Sequence, residues 1–214
     1  MQTTTARSAS FDRMAGYASM VVGLGGIIYA VLFVTLLHKA TKGAAVMSSL
    51  LLLVGGVLSS VVMIAVFERL RSTDQGFALW ALVLGLAGAF GSATHGGFDL
   101  APLAHKVVTS PVTNANPTDP RGMATFGLTA LALAVISWLI LRGGAFDRRL
   151  AYVGFVAAAL LITLYLGRLI VFNPKGAGLR AVAYASGFVV NPVFFVWLGM
   201  ELRKGPASAS HSAD

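Results

Sequence analysis

The chain has 214 residues, of which 57% are hydrophobic and only 11% charged, with a formal net charge of +8. A soluble domain carries about 25% charged residues, so this composition reads as an integral membrane protein rather than a soluble enzyme. The chain has no cysteine, which excludes disulfides and thiolate metal sites. Its basic residues lie between apolar runs, not in the clustered face of a nucleic-acid binder.

A bilayer core needs about 20 apolar residues in a helix. In chain order, six runs qualify: 14–38, 44–67, 77–100, 122–141, 150–172 and 181–200. All are predominantly apolar, the fifth interrupted by Arg168, and lack the alternation of an outer-membrane barrel. The first is too long for the core of a signal peptide, so it reads as a retained helix. The expectation is an all-α, six-helix membrane domain over 1–205, followed by a polar, disordered tail at 206–214.

Counting Lys and Arg puts nine on the side of the N-terminus and seven on the other. That bias favours cytoplasmic termini. Trp80, Trp138 and Trp197 fall on the same inner side, as an interfacial belt would. "FDRMAGY" at 11–17 and "FDRRLAY" at 146–152 open two spans of the same direction. Asp12 and Asp147 are expected to cap the free N–H groups of those helices, and Asp74 to do so for the third. Asp119-Pro120, after the long loop from about 101, reads as the start of the fourth.

The polar residues inside spans carry the functional reading. A helix rises about 1.5 Å per residue, which puts His95 and Arg168 each about 28 Å along their spans, near the outer boundary of the hydrocarbon. Asp99 lies one turn beyond His95 and shares its face if the helix survives Gly96 and Gly97. Below them on the same span lie Ser92, Gly91, Gly88 and Gly85, small residues that admit a close helix neighbour. A charge near lipid needs a partner, and Arg168 is the expected one for Asp99. The plainer alternative makes Arg168 a headgroup anchor and Asp99 the cap of a short helix starting at "LAPLAHK". Asn191-Pro192, near the middle of the sixth span, is expected to kink it and free backbone carbonyls. Such a break serves a substrate site in some transporters and only packing in most membrane helices.

Other chemistries weigh less. No phosphate-binding, zinc-protease or nucleophile-elbow motif is present. No span contains lysine, so no retinal Schiff base is available. His38, His95 and His105, with Asp99 and Asp119, are weak candidates for a metal or haem site at the outer edge. Ser92, His95 and Asp99 suggest a hydrolase triad, but no oxyanion donors accompany them.

"FALWALVLGLAGAFGSATHGGFDLA", "NPTDPRG", "LYLGRLIVFNP" and "NPVFFVWLG" together resemble six-span bacterial membrane proteins in families of unknown function. The resemblance runs from about residue 11 to 203. It implies a small bundle in a bacterial inner membrane and carries no site residues. The leading expectation is a non-enzymatic protein of the lipid bilayer that binds or passes a small polar or anionic ligand, or protons, at an outer pocket of His95, Asp99, Arg168 and Asn191. His95 would be the proton-sensitive group, because imidazole changes charge near neutrality. The rivals are a scaffold or accessory subunit, homo-oligomeric or within a larger membrane complex, and a haem- or metal-binding protein or enzyme.

Overall fold

A computed structural model describes residues 9–32, 42–105, 120–167 and 176–204. We label the helices α1 (Ala9–Ala30), α2 (Lys42–Leu70), α3 (Gln75–His105), α4 (120–143), α5 (Arg148–Leu166) and α6 (Ala177–Arg203). Among the described residues there is no strand. Five helices, α2 to α6, are long and apolar enough to cross a membrane. The sixth expected span, 14–38, begins within α1, and its residues 33–38 lie outside the described ones.

Successive helices run antiparallel, and α1 also packs on α6 and so closes the ring. The starts of α1, α3 and α5 therefore share one end with the finishes of α2, α4 and α6. We call this end proximal and the other distal. The proximal turns are short and chemically specified. Asp147 caps α5 by accepting from the Arg149 N–H at 2.9 Å, and Asp74 accepts from the Phe77 N–H at 3.2 Å. Gly144 ends α4 at φ 67°, a left-handed position that suits glycine.

Large buried side chains fill the bundle from its middle to the proximal end. Leu70, Leu139, Ile140, Leu150, Phe194, Leu198 and Leu202 are all essentially inaccessible. The outward faces are apolar as well. Val21, Leu24 and Ile28 on α1, Val83 and Phe90 on α3, and Tyr152 on α5 are each more than half exposed. An apolar rim on this scale suits hydrocarbon rather than water.

Two helices carry π-helical turns, at Met123–Leu128 in α4 and Ala185–Val190 in α6. The second bears on the expected kink. Asn191 has helical φ −64° and ψ −46°, and Pro192 opens the next α-helical stretch, so α6 runs on without a break. A π turn just before the proline takes up the mismatch left by its missing N–H.

Small residues set the closest approaches. A Cβ on Gly56 would meet the Ala89 carbonyl oxygen and the Ala93 nitrogen at 2.5 Å, both backbone atoms of α3. A Cβ on Gly96 would strike the backbone of α2 at Ser49 and Leu53. On its other flank α3 turns Gly88 and Gly91 to Thr129 and Ala124 of α4. At Gly55, next in sequence to Gly56, a Cβ would meet nothing within 4 Å. Gly56→Ala should therefore cost about 1–3 kcal/mol by forcing the backbones apart. Gly55→Ala should be neutral or stabilise by up to about 1 kcal/mol through helix propensity. Reversible unfolding in mixed micelles measures both.

Candidate functional site

Helix α3 continues through Gly96, Gly97 and Pro102 to His105. It does so because Gly96 and Gly97 leave the helical hydrogen bonds intact and the seam with α2 holds them. His95 and Asp99 therefore stand one turn apart on one face, with His95 Nε2 3.4 Å from Asp99 Oδ2. The alternative in which Asp99 caps a new short helix is overturned, since Asp99 lies inside α3.

The other oxygen of Asp99 faces α4. Arg121 donates through a terminal guanidinium nitrogen to Asp99 Oδ1 at 3.0 Å, and its guanidinium lies 4.3 Å from the centroid of the Phe98 ring. The side chains of His95, Asp99 and Arg121 are 19%, 15% and 25% exposed. The cluster is thus held by packing yet open to solvent. By helical rise Asp99 is about 36 Å from the start of α3, at the distal boundary of an apolar layer. The cluster is neutral overall with a neutral imidazole and carries one positive charge with a protonated one.

Arg121 is the residue that sequence reasoning missed as the partner of Asp99. The depth argument singled out Arg168, which lies outside the described residues, as does His38. His105 ends α3, and its side chain is not among those described. The missed signal was local. Pro120 starts α4, so Arg121 had to enter the bundle at the level where α3 ends.

Asn191 does not join this cluster. It lies on α6, which packs on α1 and α5, about 18 Å from the proximal end. Its side-chain nitrogen donates to Ser186 Oγ at 2.9 Å, and its buried Oδ1 has no hydrogen-bond partner among the described residues. Ser92 does not form a triad with His95 and Asp99 either. Its hydroxyl donates across the seam to the Leu52 carbonyl at 3.2 Å. Among the described residues no three His, Asp or Glu side chains stand close enough to hold a metal.

A second polar cluster lies at the proximal end, and it corrects the expected cap at Asp12. Asp12 sits within α1, buried, with Oδ2 3.5 Å from a guanidinium nitrogen of Arg69. Arg69 is also buried. It donates to the carbonyls of Glu201 at 2.9 Å and Leu202 at 2.6 Å, and lies 5.3 Å from the Phe146 ring centroid. The two "FDR" segments therefore serve different purposes: Asp147 caps a helix, whereas Asp12 neutralises a buried cation.

No family model, curated protein or solved structure matches the chain.

The two arginine clusters differ in burial and so in energetic weight. Breaking a buried ion pair costs about 3–5 kcal/mol, while an exposed pair is worth about 0–1 kcal/mol. Arg69→Gln is expected to lower unfolding free energy by an amount in the first range, and Arg121→Gln, at a partly exposed pair, by less than Arg69→Gln does. Parallel denaturation of the two variants in the same detergent checks the contrast.

Proposed function

We propose that the chain is a six-span protein of a bacterial inner membrane, with both termini cytoplasmic, that binds a small anion together with a proton at its distal end. The apolar helices, the basic bias toward the proximal end and the predominantly apolar runs support the membrane assignment. The observation that carries the functional reading is the division of Asp99 between two partners. One oxygen faces His95 and the other holds Arg121.

Proton uptake by the imidazole turns the His95–Asp99 contact into an ion pair. The carboxylate is then shared by two cations, and its hold on Arg121 weakens. The guanidinium nitrogen that Asp99 holds then turns its N–H donors to another acceptor, and the planar group suits a carboxylate, phosphate or smaller oxyanion. The anion replaces the carboxylate beside Arg121, the proton stays on His95, and the charge of the cluster returns to zero. The described surroundings hold no further acid. The face of α2 packed against Gly96 contributes Ser49, Leu52 and Leu53, none of them ionisable. The other charged residues described toward this end are Lys42 and Arg180, both cationic.

Calorimetric titration of the detergent-solubilised full chain with acetate, inorganic phosphate and chloride tests the reading. At least one of these anions is expected to bind roughly tenfold more tightly at pH 5.5 than at pH 8, a difference of about 1.4 kcal/mol. His95→Gln should abolish the pH dependence, and Arg121→Gln should abolish binding. Affinity that is indifferent to pH, or unchanged in both variants, contradicts the proposal.

A further inference from the structure

A second site, at the opposite end, follows from one face of α1. Arg13, Tyr17, Val21, Leu24 and Ile28 recur at spacings of four, four, three and four residues, so they form one stripe along the helix. Arg13 is exposed, and Tyr17, Val21, Leu24 and Ile28 are each more than half exposed. The stripe is charged at its proximal tip, amphipathic one turn in, and apolar for the next three turns.

Helix α6 adds a second cation at the tip. The Arg203 guanidinium lies 4.5 Å from the centroid of the Tyr17 ring. Its stem is laid across α1, since a Cβ on Gly16 would meet Arg203 Cγ at 2.5 Å. The approach is close because Gly16 and Gly199 face each other at the crossing. The ring orients the guanidinium through its face, and the glycine crossing fixes the stem.

The neighbouring acids are already engaged. Asp12 is buried against Arg69, and Glu201 accepts from Lys204 Nζ at 2.6 Å. Among the described residues neither Arg13 nor Arg203 has an ion pair. One guanidinium thus lies over the phenol and a second cation, Arg13, stands one turn away on the same stripe, at the end of an apolar lane, and among the described residues no carboxylate pairs with either.

We infer that this tip binds the headgroup of an anionic phospholipid, with an acyl chain lying along Val21, Leu24 and Ile28. The phosphodiester accepts from the planar guanidinium donors, and an anionic headgroup brings no choline cation to oppose the two positive charges. The Tyr17 hydroxyl suits the headgroup level, where tyrosine rings sit with one end apolar and the other wet. Val21, Leu24 and Ile28 belong to the apolar outer surface that suits hydrocarbon, so a headgroup held at the tip has its acyl chain beside them, which favours a lipid over free phosphate. The inference is independent of the distal cluster and of which leaflet the proximal end faces.

Native mass spectrometry of the full chain, with equimolar phosphatidylglycerol and phosphatidylcholine of matched acyl chains, tests it. Retained phosphatidylglycerol is expected to exceed phosphatidylcholine roughly tenfold or more. The Arg13→Gln/Arg203→Gln double variant, checked for an unchanged unfolding midpoint, should bring the two lipids to near parity. Arg148→Gln/Arg149→Gln removes two exposed cations from the same end and should leave the preference intact. Added inorganic phosphate should not displace the lipid. Equal retention of the two lipids by the unaltered chain, loss of preference in both double variants, or displacement by phosphate would overturn the inference.

Discussion

Burying the Arg69 guanidinium obliges three helices to meet at the proximal end. A cation with a side chain 3% exposed needs a counter-charge and acceptors for its N–H groups. It finds the charge in Asp12 on α1 and the acceptors in the last turn of α6. Those carbonyls belong to the last turn of the helix, where intrahelical donors run out and only the Lys204 N–H reaches Glu201, at 3.2 Å, and they lie at the negative end of the helix dipole. One side chain from α2 therefore satisfies the frayed end of α6 and the buried carboxylate of α1 at once. The ring of helices closes where α1 meets α6, which is the place that Arg69 fastens.

Tight packing at that end leaves the distal end a different task. The large side chains filling the bundle lie from the middle to the proximal end, whereas the distal half of the α2–α3 seam approaches through Gly56, Ser92 and Gly96. Small residues bring backbones together without filling space beyond them. His95, Asp99 and Arg121 stand at the rim of this seam, partly exposed, with one carboxylate between an imidazole and a guanidinium. The same residue types are thus fully buried at one end and partly exposed at the other.

Much of the helical layout was legible in the sequence, because long apolar runs bounded by charges admit few other readings. The face shared by His95 and Asp99 was legible from their spacing of four, and the close helix contacts from the spacing of the glycines. The partners were not. Depth along a helix says which residues lie at one level, but not which helices are neighbours, so Arg121 on α4 was overlooked. Asp12 was misread because an acid near a helix start looks the same whether it caps N–H groups or pairs with a residue 57 positions away. The π turn at Ala185–Val190, just ahead of Pro192, was not read because it leaves no signal in local composition.

The central claim is that Arg121 exchanges Asp99 for an anion when His95 takes up a proton. Crystals soaked in bromide at pH 5.5 and pH 8 test it most directly, by the anomalous signal of the halide. The account predicts a bromide peak within hydrogen-bonding distance of the Arg121 guanidinium at pH 5.5, with Asp99 turned toward His95, and no such peak at pH 8. Arg121 still held by Asp99 at pH 5.5, with no bromide beside it, would contradict the account.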